Sequence, residues 1–266
     1  MPIANNDDYV GSAKQVIEWM RSVTRTTVIG GWFTLFELAG QPGPGTLAAG
    51  NTASGVVHDD AIAGYPQINS FAGGAVGYLT RFAGQCSLAG KVALYDRLFV
   101  CGAYPGIQSR LALSSPPTGW QSRVPGSDYK GLEIWIECVT ALAATATITV
   151  EYLDQDGNAG TTGAVSVGGA LTLGRMIQLP LQAGDSGVSG LVAITSSGAA
   201  SGTFNVMIMR PLISCFRFPF ANGGDTWDYL KTGLPVVYDN SALYPVFAMD
   251  GTSSGVPELS IEIGSK

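Results

Sequence analysis

The stretch Thr145-Ala-Thr-Ile-Thr-Val-Glu-Tyr152 carries the clearest periodicity in the chain. Ala146, Ile148, Val150 and Tyr152 alternate with Thr145, Thr147, Thr149 and Glu151. A β-strand points successive side chains to opposite faces, so one face here is apolar and the other solvated, as in an antiparallel sheet with one side on a core. Asp154-Gln-Asp-Gly157-Asn158 follows with the chemistry of a tight turn. Upstream, Leu132, Ile134, Ile136 and Cys138 alternate with Glu133, Trp135 and Glu137. Downstream, residues 176–181, 191–195 and 203–209 read as further strands between Gly- and Ser-rich turns. Short strands at regular spacing, with no intervening helix, predict an all-β antiparallel sandwich whose clearest strands lie in 132–213, and the jelly roll is a common form of it. Its interior is expected to hold Ile134, Ile136, Ile148, Val150, Tyr152, Phe204, Val206 and Ile208.

Towards the N-terminus the pattern weakens. Residues 91–101 form an expected strand, with Val92 and Leu94 opposite Ala93 and Tyr95 and then an apolar Leu98-Phe99-Val100. Residues 28–38 favour strand through Trp32, Phe33 and Phe36, until Gln41-Pro-Gly-Pro-Gly45 stops them. Residues 46–55 and 114–126 are expected loops. At the start, a short amphipathic helix is predicted. Asp7 or Asp8 can cap it, and Val10, Ala13, Val16, Ile17 and Met20 fall at helical spacing on one face. A helix of about 14 residues is not stable alone in water, so its stripe must dock, either as a lid on the chain's own sheet or as an arm on a neighbouring chain. At the other end, residues 225–231 hold one helical turn. Leu259, Ile261 and Ile263 alternate with Ser260 and Glu262 as a last strand, which completes the sandwich or pairs with another subunit. The expected organisation is a helical arm at 1–27, a β-sandwich at 28–235 and a β tail at 236–266.

Charged residues make up only 13% of the 266, against roughly 25% in an ordinary soluble protein. Mean hydropathy is +0.23, yet every apolar stretch is broken before the roughly 18 residues of a spanning helix. The first eight residues have neither a basic segment nor an apolar core, so no signal peptide is expected. Too little charge for a free surface predicts that partners cover much of it. The net charge of −6 and the absence of a basic run argue against nucleic acid as a partner, and no membrane partner is expected. Cys86, Cys101, Cys138 and Cys215 lie far apart and His58 is the single histidine, so buried reduced thiols are expected in place of a zinc site.

Several fragments approach chemical motifs and miss them. Between Gly84 and Lys91 the spacing is one residue too long for a phosphate loop, and Val92 stands where a magnesium-binding hydroxyl is needed. Gly251-Thr-Ser253-Ser-Gly255 matches a nucleophile elbow, but Val256-Pro257 follows where a helix is required. Asp154 to Asn158 has its glycine at the fourth position, where a calcium loop has it at the sixth. His58-Asp59-Asp60 reads as a solvated loop. Glu133, Glu137 and Glu151 read as charges on solvated strand faces, without the convergence of a glycosidase pair. No catalytic, cofactor or metal residue is therefore expected, and no enzyme.

Four stretches give the chain a family likeness: 46–52, 94–104, 179–185 and 203–211, which include Leu94-Tyr-Asp-Arg-Leu-Phe-Val-Cys-Gly-Ala-Tyr104 and Thr203-Phe-Asn-Val-Met-Ile-Met-Arg-Pro211. In them the chain resembles structural proteins of tailed-bacteriophage virions. None is a functional motif, so no family residue role is carried over. The resemblance implies a jelly-roll fold and a place in the virion, assembled in the host cytoplasm, as capsid decoration (cement), collar or tail component. A decoration protein would bind the major capsid protein or other virion proteins across subunit joints, as a homo-oligomer. Val10, Ala13, Val16, Ile17 and Met20 would then be the partner-binding arm. A carbohydrate-binding module is the rival of another class, with Trp120, Trp135 or Trp227 stacking on sugar rings.

Overall fold

At 146–154 the strand forms as its alternation predicts: Ala146, Ile148, Val150 and Tyr152 are buried and the residues between them partly exposed. It belongs to a computed structural model that describes residues 3–48, 50–167, 171–198 and 201–266. Positions 1, 2, 49, 168–170 and 199–200, parts of the segments 1–27, 46–55 and 132–213 read above, lie outside the described residues.

A short helix, α1 (Asn6–Gly11), precedes the strands β1 (Ala13–Arg21), β2 (Trp32–Thr34), β3 (Gly40–Gln41), β4 (Val56–Val57), β5 (Gly77–Cys86) and β6 (Gly90–Pro105). There follow β7 (Gln108–Ala112), β8 (Glu133–Thr140), β9 (Ala146–Asp154), β10 (Ala159–Thr161), β11 (Val165–Val167) and β12 (Met176–Leu179). The last are β13 (Val188–Ser197), β14 (Thr203–Phe218), β15 (Gly223–Trp227), β16 (Val236–Val237), β17 (Leu243–Met249) and β18 (Pro257–Ser265), with the one-turn helix α2 (Tyr229–Thr232) after β15. They build three antiparallel sheets. The first runs β15-β5-β18-β1-β3, the second β10-β9-β13-β7, and the third β12-β8-β14-β6-β17-β2.

The third sheet is shared. Its long strands β6 and β14 pair from Thr203 opposite Pro105 to Phe218 opposite Gly90. At one end Phe204, Val206 and Ile208 pack with Ile148, Val150 and Ile194 of the second sheet. At the other, Leu94, Ile213 and Phe216 pack with Trp19, Phe82 and Ile261 of the first. Register shifts at Ile208/Met209 and Pro211/Ile213 separate the two ends. Such bulges bend a strand and increase its twist, which lets one sheet face two others. On the reverse side, Phe36, Leu47 and Tyr65 from the long 35–68 connection cover Trp135, Met207 and Tyr244. The architecture is an all-β antiparallel sandwich, and all eight residues expected in its interior are fully buried.

Three expectations need correction. The N-terminal helix is confined to Asn6–Gly11, capped by Asn5, whose side chain accepts the Asp8 N–H; Asp7 and Asp8 lie inside it. Residues 13–21 are strand β1, so Val10, Ala13, Val16, Ile17 and Met20 share no helical face: Ile17 alone is buried. The competing alternation Ile17, Trp19, Arg21 prevails because Ile17 and Trp19 fill the first core beside β18 and Arg21 donates to the Leu35 and Pro42 carbonyls. Second, β8 is buried on both faces, because the 35–68 connection covers what was expected to be its solvated side. Third, the 28–38 strand shrinks to Trp32–Thr34. The last strand completes the chain's own first sheet, pairing β5 on one side and β1 on the other.

Candidate functional site

Strand β6 carries Asp96 and Arg97 side by side, and neighbours on a strand enter opposite faces. Both are fully buried. Asp96 is held by two guanidiniums, Arg123 at 3.1 Å and Arg210 at 3.1 Å, and it accepts hydrogen bonds from the Ser241 hydroxyl and the Ala242 N–H. Arg123 reaches it from the 3₁₀ turn Gly119–Arg123 and also donates to the carbonyls of His58, Arg97, Leu98 and Asn240. One side chain thus ties four backbone segments together.

On the other face, Arg97 pairs with Glu137 at 2.9 Å. Glu137 also accepts from the Asn205 amide and the Tyr244 hydroxyl, so both its oxygens are engaged. The Tyr65 hydroxyl lies 3.4 Å from Arg97 and 2.8 Å from His58 Nδ1. Burial pushes the Tyr65 and Tyr244 phenols well above their usual range, keeping them neutral hydrogen-bonding partners. Burial alone would lower the Arg97 guanidinium; Glu137, with Tyr65 and Tyr244, outweighs it and leaves Arg97 raised and charged. Removing one member of such a buried pair strands the other charge, which makes the centre a lock on packing.

The expected solvated charges therefore divide. Glu137 is buried in this centre, and His58 and Asp60 are buried too, Asp60 accepting the Ile68 N–H. Glu133 is bonded to Trp135 Nε1 at 2.7 Å and raised by burial, while Glu151 is partly exposed and paired twice with Arg110 at 2.6 Å. Glu137 and Glu151 stand in different sheets, Glu137 against Arg97 and Glu151 against Arg110. The Asp154 carboxylate is spent on its own turn, accepting the N–H groups of Asp156 and Asn158 at 2.8 Å, with Gly157 at φ 83°. Gly84 sits within β5, and Gly90 and Lys91 open β6, a strand-turn-strand. After Ser253 and Ser254 the chain runs into β18 with no helix between. Trp120 and Trp135, expected as exposed stacking platforms, are buried, and Trp227 packs against the first core. Among the described residues no group of three or more His, Cys, Asp or Glu is placed to hold a metal ion. The cysteines are free thiols, and burial pushes Cys101 and Cys138 up to about 12.

Part of the surface is apolar. A groove of about 360 Å³ is lined by Arg25, Val28, Leu38, Thr172 and Leu173 among others, and the adjoining Ile29 is 63% exposed. Phe220 and Leu230 are 65% and 74% exposed. The chain's strand edges add to this: β1 is paired with β18 along its length but with β3 only at Met20 and Arg21. No sequence motif marks these surfaces. The low charge was their one sign.

No protein-family model matches the chain, and no curated protein matches it. Among solved structures it is similar to that of infectious bursal disease virus Gx strain, at 10% identity and TM-score 0.21, covering 96% of this chain and 81% of that one. The Gt strain of the same virus gives 11% identity and TM-score 0.18 over 96% and 81% of the two chains. The VP2 subviral particle of infectious bursal disease virus gives 10% identity and TM-score 0.17 over 96% and 80%. At these TM-scores the overlap carries no assignment.

Proposed function

We propose that the chain is a non-enzymatic structural protein of a tailed-bacteriophage virion, a capsid decoration (cement) protein that binds across joints between major capsid subunits as a homo-oligomer. The observation that carries this reading is the mismatch between interior and surface. The interior sets its buried ion pairs against one another, Arg97 with Glu137 and Asp96 with Arg123 and Arg210. The surface has few charges and exposes Val10, Val28, Ile29, Phe220 and Leu230. On a chain with only 13% charged residues, we read these exposed apolar side chains as contacts with other chains. The four stretches resembling virion proteins support the same reading.

The test is to mix the purified protein with undecorated heads, with isolated tails and with a glycan array. Saturable binding to heads, and a higher temperature of head disruption once bound, is the expected result. Binding to tails or collars alone would move the protein to those structures. Glycan binding without particle binding would replace the structural role with the carbohydrate module.

A further inference from the structure

We infer that β1 is a self-complementary edge through which two copies of this chain pair, strand against strand, about a two-fold axis at Val16. The inference deepens the reading above, on whose homo-oligomer it rests. Residues 13–20 pair with β18 in unbroken register, whereas β3 covers the other flank only at Met20 and Arg21. Residues 13–19 therefore have no strand on that side among the described residues.

The backbone is set for pairing. The Ser22 N–H donates to Ala39 on the β3 side at 2.9 Å. Donors alternate along a strand, so Lys14, Val16 and Glu18 direct their N–H and C=O groups to the open flank, while the odd-numbered residues serve β18. Edge strands with unpaired groups of this kind accept an added strand.

The side chains select the partner. Lys14, Val16, Glu18 and Met20 are exposed on the outer face, Val16 by 51% and Met20 by 40%. An antiparallel copy centred on Val16 sets Lys14 opposite the second copy's Glu18, Glu18 opposite its Lys14, and Val16 against Val16. Val16 is also the midpoint of the open stretch 13–19, so this register uses all of it and stops where β3 begins. Moving the centre to residue 17 sets Val16 against Glu18; moving it to Glu18 sets two carboxylates face to face. Lysine on an edge ordinarily repels other strands. Here it meets a carboxylate and fixes the register. A two-fold, isologous contact results, and it joins the first sheets of two copies. The nearby Asn69 is tied to the Gln15 side chain, on the opposite face from Lys14, Val16 and Glu18.

Sedimentation of the purified full chain tests this. The wild-type protein should be a dimer, and Lys14→Glu should weaken it about tenfold or more, since each reversal acts twice across the axis. The double reversal Lys14→Glu with Glu18→Lys should restore the dimer. Val16→Pro removes only an outward donor, so it should keep the folded circular dichroism spectrum and become monomeric. If that variant does not fold, the two charge variants, at exposed positions, still decide. An oligomer indifferent to both charge reversals would overturn this interface and leave the homo-oligomer standing. A monomeric wild-type protein that still saturates heads would overturn the interface and the homo-oligomer, but not the decoration role.

Discussion

Thr147 and Ile148 are neighbours on β9, yet their side chains live in different solvents. Ile148 is fully buried among Val150, Ile194 and Phe204, while Thr147 is partly exposed. Ile148→Ala should therefore cost about 2–5 kcal/mol in denaturant unfolding, and Thr147→Ala well under about 1 kcal/mol. Charge divides in the same way. Glu137→Ala leaves the Arg97 guanidinium buried without its counter-charge, at about 3–5 kcal/mol, whereas Glu151→Ala breaks a pair open to solvent and should cost about 0–1 kcal/mol. The same unfolding measurement checks both. Asp154 gives a pH dependence. Burial would raise its pKa, but the hydrogen bonds from Asn158, then Asp156 and Gly157, hold it below 3.8 in the folded chain. The unfolded chain then takes up the proton first, so stability falls as pH drops through the interval below 3.8. Asp154→Asn should be less stable than wild type at pH 7, and the gap should close in acid, as read from urea midpoints at both pH values. Ile148 and Thr147 were legible in the sequence because strand alternation is local. Glu137 was not: its alternation put it outside, and only the distant 35–68 connection, with Tyr65 on it, makes that side interior.

At the scale of elements, β1 shows how two periods compete. Val10, Ala13, Val16, Ile17 and Met20 fit a helix, and Ile17, Trp19 and Arg21 fit a strand, in the same stretch. Nine residues of strand prevail because β18 offers a ladder of backbone hydrogen bonds and a core that takes Ile17 and Trp19. Deleting residues 1–24 should consequently uncover β18, open the first core and yield protein that aggregates or melts earlier. A truncated chain that stays soluble with an unchanged melting temperature would contradict this placement. The long strands β6 and β14 illustrate the converse. Their apolar runs were readable as strands, but their joint length of sixteen residues each, with a change of partner sheet midway, depends on bulges that leave no sequence signature.

In the whole molecule, β6 and β14 run through both cores, and Asp96 on β6 holds Arg210 on β14 together with Arg123 from the 3₁₀ turn before β8. Unfolding either core frays strands that the other needs. The chain should then unfold in one transition: Trp120, in the core with the second sheet, and Trp19, in the core with the first, should report the same urea midpoint. Single-tryptophan variants followed by fluorescence would check it, and two separated midpoints would mean that the cores are independent.

The all-β antiparallel class, the turn at Asp154–Asn158, the eight interior residues and the closing strand at 259–263 all followed from the amino-acid order. Each depends on a period of two or on a turn's own residues, interactions that span a few positions and need no knowledge of the rest. The strand identity of residues 13–21, the burial of His58, Glu137, Trp120 and Trp135, and the sharing of one sheet between two cores were decided only by the tertiary structure. For these the deciding partners lie far along the chain: Leu259 to Ser265 for β1, Tyr244 for Glu137, Asn240 for Arg123. Burial is a property of where a residue's neighbours end up, and long-range strand pairing, which local pattern does not encode, places them.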